Sequence, residues 1–232
     1  MEPLLSSFLD LIFPRRCTFC DGICREPICP VCKDAVKFVA PPLCTICGVP
    51  FKSDAISSHT CGDCIKEKRY FSWARGVLIY DDASAKAIQR FKYKKDTTYS
   101  RALGSIISSY SKLKDFDMVV PVPLHIKRLR ERGFNQSLLL ARVVGKRYRI
   151  IVDPFALKRT RWTEPQVNLS GKERKLNVKG AFEVRKDVKG KRILLVDDVY
   201  TTGATVRECS KILKKSGAKD ICVLTLARTV EL

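Results

Sequence analysis

Two groups of residues in this sequence have the types and the spacing to do chemistry. The first is Asp197-Asp198, followed by Thr201-Thr202-Gly203-Ala204-Thr205, directly after the apolar run Ile193-Leu194-Leu195-Val196. In an open α/β sheet, ligands sit just beyond the carboxyl ends of strands. A Thr/Gly-rich turn there gathers backbone N–H groups and hydroxyls into one concavity, and the helix behind it adds partial positive charge. A phosphate monoester fits such a turn, and Gly203 removes the Cβ that would block its approach. The paired carboxylates would repel phosphate but suit the vicinal hydroxyls of a sugar. Strand, acid pair and turn in this order describe a ribose 5-phosphate cradle. The simpler reading, an acidic turn with Thr202 or Thr205 capping a helix, leaves that order unexplained.

The second group is four CxxC pairs: Cys17/Cys20, Cys29/Cys32, Cys44/Cys47 and Cys61/Cys64. Two residues between thiols let a tight turn aim both sulfurs at one tetrahedral centre, and two pairs close a four-cysteine site. One pair alone could be a redox dithiol. Four pairs in so short a segment, with little apolar content to form a core, point to metal. Sequential pairing leaves comfortable intervals, and interleaved pairing (first with third, second with fourth) stays open. All-cysteine ligation argues for two closed structural Zn²⁺ sites. Cys24 and His59 add no second pair and read as bystanders, and Pro41-Pro42 marks a junction between two ribbons.

The chain has 232 residues and a formal charge of +20. Residues 1–70 carry 9 basic and 8 acidic residues, and the remainder 35 basic against 16 acidic. The positive field therefore belongs to the C-terminal part and points to a polyanionic partner or substrate. The segment 125–175 alone holds 14 basic and 4 acidic residues, with Trp162 in its midst. An aromatic side chain in a cationic groove suits a stacked base. Leu4, Leu5, Phe8, Leu9, Leu11, Ile12 and Phe13 suit a short amphipathic helix, too short to span a bilayer. With no export signal and thiols spaced for metal, the chain reads as cytoplasmic, with a peripheral foot on the inner face of the membrane as an option.

The elements that must position the acid pair follow from hydrophobic periodicity. Strands are expected at 76–80, 117–122, 192–196 and 221–227. Helices are expected at 83–92, around Leu103, Ile106, Ile107 and Tyr110, at 134–147, and at 204–216 closed by Gly217. Residues 158–175 read as a long mobile loop. Alternating strands and helices favour a largely parallel sheet with helices on both faces. The division expected is an N-terminal helix and double zinc ribbon over 1–70, then an α/β domain over 71–232.

The stretch from Arg192 to Thr205 resembles the phosphoribosyl diphosphate signature of type I phosphoribosyltransferases. The whole chain is similar to the ComF family, associated with competence, which joins a double zinc ribbon to such a domain. Lys92-Tyr93, Val120-Pro121-Val122-Pro123, Arg132-Gly133-Phe134-Asn135-Gln136 and the run from Arg159 to Phe182 carry the resemblance further. It implies that Asp197 and Asp198 hold ribose hydroxyls, with Mg²⁺ between hydroxyls and diphosphate. It implies that Thr201, Thr202, Gly203, Ala204 and Thr205 wrap the 5-phosphate. Pro121, Val122, Pro123 and Leu124 take the place of the diphosphate loop. Proline donates no N–H, so Arg132 and its neighbours are expected to supply charge there. The function implied is Mg²⁺-dependent phosphoribosyl diphosphate binding in DNA uptake and transformation, with single-stranded DNA and a helicase-type protein as partners. Nucleobase salvage is the alternative.

Overall fold

The computed structural model describes residues 15–51, 57–93, 99–110, 113, 115–163 and 171–230. Its centre is a parallel sheet in the order β1-β6-β5-β2, made of β1 (Trp73–Ile79), β2 (Met118–Pro121), β5 (Arg192–Tyr200) and β6 (Asp220–Arg228). Strands buried on both faces need apolar residues at consecutive positions, and β5 and β6 meet this. Leu194, Val196, Cys222 and Leu224 point into one core, and Ile193, Leu195, Ile221 and Val223 into the other.

Three helices fill the first core: α3 (Asp82–Tyr93), α4 (Tyr99–Ile107) and α6 (Gln136–Tyr148), through Ile88, Phe91, Leu103, Ile107, Leu140 and Val144. Burying such a side chain contributes about 1.5–3 kcal/mol each. The opposite core is closed by α8 (Ala204–Lys215), whose Val206, Cys209 and Leu213 face the sheet. A two-stranded antiparallel ribbon, β3 (Leu157–Arg159) with β4 (Phe182–Val184), packs beside α8 through Leu157 and Phe182. The sheet therefore carries helices on both faces, as the periodicity implied.

The cysteine segments extend this core. Each contains one short helix, α1 (Pro30–Ala35) and α2 (Gly62–Lys66). Cys17, Phe19, Cys32 and Val36 are buried with the first core, and Cys44, Cys47 and Cys64 with the second. Between the two segments, residues 37–39 lie antiparallel to β1. Val39 N–H donates to Val77 C=O at 2.9 Å and Ile79 N–H to Lys37 C=O at 2.8 Å. At the other edge Val119 N–H donates to Ile151 C=O at 2.8 Å. Both edge strands are thus paired over part of their length, which shortens the exposed edge. Gly48 sits at φ 71°, where a Cβ would meet the Ala74 carbonyl at 2.4 Å, so glycine lets the second knuckle press against β1.

Three expectations are corrected. The ladder of β5 with β6 continues to Tyr200 opposite Arg228, so the acid pair lies inside the strand and not beyond Val196. A short helix not expected from the sequence, α5 (Ile126–Arg132), follows β2. The segment read as a loop over 158–175 begins in β3 and ends in α7 (Gly171–Val178); residues 164–170 lie outside the described residues. So does the N-terminal amphipathic stretch, Leu4 to Phe13.

Candidate functional site

The carboxyl ends of β2 and β5 open into a cavity of about 440 Å³. Asp197, Asp198, Thr201, Thr205, Val122, Pro123 and Arg132 line it together with residues given no site role from sequence: Lys92, His125, Arg128, Ser137 and Arg159. Pro121 ends β2 opposite Val196 and is buried. Thr202, Gly203 and Ala204 form the turn behind the wall; they are absent from the lining itself.

The acid pair is held by neighbours on two helices. Asp197 accepts from Ser137 Oγ at 2.9 Å and from the Asp198 N–H at 2.9 Å. Lys92, near the end of α3, places its ammonium 2.6 Å from Asp198 Oδ2, both side chains being about four-fifths buried. Burial, then the Asp198 charge, pushes the Asp197 carboxyl up to about 7. Burial also acts to raise Asp198, but the Lys92 ammonium outweighs it and holds that carboxyl below its ordinary value. One acid is thus ready to give up a proton near neutrality and the other stays ionised, in one concave site. Such perturbed pairs cluster at functional sites.

The turn is equally specific. Gly203 adopts φ 72°, and a Cβ there would meet the Tyr200 hydroxyl at 2.3 Å, so only glycine fits. Thr202 Oγ1 accepts from the Ala204 N–H at 3.4 Å at the start of α8. The N-terminus of that helix faces the turn with its dipole favouring an anion.

Opposite the turn, α5 and the start of α6 supply cations and a free donor. His125 caps α5, its Nδ1 accepting from the Lys127 N–H at 3.3 Å, and Gly133 ends the helix at φ 83°. Asn135 caps α6 and ties it to β2 by donating from Nδ2 to the Val122 carbonyl at 3.0 Å. Arg132 donates to Gln136 Oε1 at 3.0 Å, which fixes the amide orientation. Among the described residues, the Gln136 Nε2 donor has no protein partner, on a residue only 2% exposed. An unsatisfied buried donor on a cavity wall is suited to a polar ligand. Trp162 lies 5.5 Å from the Arg128 guanidinium and 5.6 Å from the Lys127 ammonium, with its ring edge-on to His125 at 5.3 Å. The indole thus anchors α5 against the segment after β3.

The cysteines resolve into two sets, Cys17/Cys20/Cys29/Cys32 and Cys44/Cys47/Cys61/Cys64, with sulfurs within 4.8 Å of one another in each. Pairing is therefore sequential. Backbone N–H groups of Phe19 and Cys29 point at the Cys17 sulfur at 3.4 Å, and those of Cys47 and Cys61 at the Cys44 sulfur at 3.4 and 3.3 Å. Burial acts to raise Cys17 and Cys44, but backbone N–H donors outweigh it, those of Cys20, Cys29 and Phe19 at Cys17 and those of Cys61, Cys47 and Ile46 at Cys44, bringing both down to about 6. Four converging sulfurs with amide support for the thiolate form fit zinc. Cys24 lies outside both sets, and the His59 ring stacks on Phe51 at 3.9 Å.

Fold and site together define a phosphoribosyltransferase-type domain joined to a double zinc ribbon. The double zinc ribbon domain family matches residues 8–65, and the phosphoribosyl transferase domain family residues 139–230. Competence protein F of Haemophilus influenzae is 33% identical over 93% of this chain and 98% of its own length. DNA utilization protein YhgH of Escherichia coli K12 is 34% identical over 90% and 96%, and competence protein ComFC of Bacillus subtilis 30% over 88% and 85%. The chain belongs to the ComF competence protein family. Among solved structures, an allosteric regulatory enzyme of purine biosynthesis is similar at 20% identity over 60% of this chain and 30% of that chain, with a TM-score of 0.43. No helix among the described residues is long and apolar enough to cross a membrane.

Proposed function

We propose that the chain binds phosphoribosyl diphosphate with Mg²⁺ in this cavity and acts in DNA uptake and transformation, with single-stranded DNA on its basic surface. The observation that carries the reading is the acid pair, braced by Lys92 and Ser137, across one cavity from arginines and an unpartnered amide. Carboxylates from Asp197 and Asp198 are hard oxygen donors of the kind Mg²⁺ takes alongside substrate phosphates. When bound, the ion would neutralise diphosphate charge and bridge it to the ribose hydroxyls. The 5-phosphate falls to the turn from Thr201 through Thr205. The Pro121-Val122-Pro123 segment is poor in N–H donors, so the diphosphate falls to Arg132, Arg128 and the Gln136 amide.

The relatives' names associate them with competence and DNA utilization. The surface supports the same direction here. Helix α5 buries none of its residues; Arg128 and Arg132 line the cavity, and Lys127 and Arg130 are exposed on the same helix. Exposed Arg142, Lys146 and Arg147 continue the field along α6. Such a surface gives sequence-independent, salt-dependent affinity for nucleic acid. The test is fluorescence anisotropy with a labelled single strand, with and without phosphoribosyl diphosphate and Mg²⁺. The reading expects binding whose logarithm falls linearly with the logarithm of salt concentration. Salt-independent binding, or none in low salt, refutes the DNA half of the reading.

A further inference from the structure

The phosphate turn is wired to the second cysteine cluster by two separate polar routes, and neither touches the cavity. In the first, Arg69 Nε donates to Cys64 Sγ at 3.4 Å and its Nη1 lies 3.2 Å from Glu67 Oε2. The same carboxylate oxygen pairs with Arg207 Nη1, and Arg207 Nη2 donates to the Thr202 carbonyl at 3.4 Å. The Arg69 side chain is 8% exposed and that of Arg207 18%, while the Glu67 carboxylate that joins them is 39% exposed, so the two arginines are sheltered and their shared partner meets water. In the second, Arg228 Nη1 donates to the Cys47 carbonyl at 2.6 Å, and its guanidinium lies 5.0 Å from the centre of the Tyr200 ring. The hydroxyl of Tyr200 lies where a side chain on residue 203 would have to be.

These bonds would be unnecessary if the ribbon were only a separate docking module. Arg207 sits in the first turn of α8, where a cation opposes the helix dipole, and it faces the residue immediately before Gly203. Arg228, a charged residue 4% exposed at the end of the inner strand β6, reaches a ribbon carbonyl. Both arginines give up hydration to join ribbon to turn; their Nη groups make the bonds described, while among the described residues each buried Nε has no partner, a cost those charge-assisted bonds offset.

We infer that the second cysteine cluster, through Glu67, Arg207 and Arg228, is a positioning element for the 5-phosphate turn. The inference rests on the proposed role of that turn. Glu67 holds Arg207 so that the Thr202 carbonyl is drawn back toward α8, which leaves the N–H groups of the turn facing the ligand. Arg228 holds the Tyr200 ring, which sets the floor beneath Gly203. None of these three side chains lines the cavity, so their effect on a ligand passes through the turn alone.

The experiment compares two probes by calorimetry on zinc-loaded protein with Mg²⁺: ribose 5-phosphate, which needs the turn, and inorganic diphosphate, which does not. Arg207→Ala is expected to weaken ribose 5-phosphate roughly three- to tenfold, the net scale of one ordinary hydrogen bond because the effect reaches the ligand only through the turn, and to leave diphosphate affinity unchanged. Arg207→Lys restores part of the loss because an ammonium can still reach one partner. Glu67→Ala gives a smaller loss, and the double variant is no weaker than Arg207→Ala, since both act on one route. Zinc content and melting temperature, recorded for each variant, show whether the ribbon is intact. Unchanged ribose 5-phosphate affinity in Arg207→Ala, or equal weakening of both probes, overturns the inference. Failure of the wild-type protein to bind ribose 5-phosphate while binding diphosphate instead overturns the assignment of the turn.

Discussion

Asp197→Asn separates what the acid pair costs the fold from what it does for a ligand. Asp197 is pushed up from an ordinary 3.8 to about 7, by burial first and by the Asp198 charge second. The folded protein therefore holds this proton more tightly than the unfolded chain does. Stability contributed by the protonated carboxyl is fully present below about 4 and is lost as pH rises through about 7. One pKa unit is about 1.4 kcal/mol. Placing Asp197 in this site thus costs on the order of 3 kcal/mol at pH 6, where it is held largely protonated, and on the order of 4 kcal/mol at pH 8, where it is largely ionised. Asparagine keeps an oxygen for the Ser137 hydroxyl and the Asp198 N–H, both at 2.9 Å, and turns no charge toward Asp198. The variant is expected to be more stable than wild type by a few kcal/mol at pH 8, and by about 1 kcal/mol less at pH 6. The assay is urea unfolding of zinc-loaded protein followed by Trp73 and Trp162 fluorescence, at pH values where cysteine ligands keep their metal. A variant no more stable than wild type at pH 8, or a gain larger at pH 6 than at pH 8, refutes this electrostatic account.

Other perturbations address the remaining parts. Lys92→Met leaves Asp198 beside Asp197 without its counter-charge; it is expected to lower stability at pH 8 by roughly 1–3 kcal/mol, less than a fully buried pair would lose, with the deficit shrinking in acid because burial, no longer opposed by Lys92, lets the variant's Asp198 take up a proton. An equal deficit at pH 4.5 and pH 8 in thermal melts contradicts that pairing. Gly203→Ala is expected to abolish ribose 5-phosphate binding and to cost about 1–3 kcal/mol for the positive φ and the Tyr200 contact, as read by calorimetry and melting; normal binding contradicts the turn geometry. Cys20→Ser and Cys61→Ser are each expected to release one zinc ion of two per chain, measured by metal analysis after dialysis, whereas loss of both ions from either variant contradicts two independent sets. Arg128→Glu with Arg130→Glu is expected to weaken single-stranded DNA binding at least tenfold at low salt and to reduce the salt slope by about 2; an unchanged slope removes α5 from the DNA surface.

The parallel sheet was legible because strands buried on both faces need unbroken apolar runs, and 193–196 and 221–227 have them. The strand end was not. Asp197, Asp198 and Tyr200 look like a polar exit, yet their backbone groups continue the ladder to β6, which no side-chain pattern reveals. Helix α5 was hidden because it has no buried face and hence no apolar period. Its stop is a single glycine in the left-handed region. The cysteine ligands were legible from their spacing. Their pairing needed the fold, because 8- and 13-residue intervals suit more than one arrangement. At the candidate site, the carboxylates and the threonine turn could be named from one local motif. Lys92 and Ser137 could not be assigned as partners of the acids, because they reach them across 106 and 60 residues of chain. The arginines joining ribbon to turn reach across 140 and 181 residues and follow no periodicity at all.

Calorimetric titration of zinc-loaded protein with phosphoribosyl diphosphate and Mg²⁺, alongside the Asp197→Asn, Asp198→Asn double variant, tests the central claim most directly. The account predicts saturable one-to-one binding that requires Mg²⁺ and disappears in the double variant, while that variant keeps its zinc and unfolds cooperatively. Equal binding by wild type and double variant, or no heat of binding from a folded, zinc-loaded wild-type protein, would contradict it.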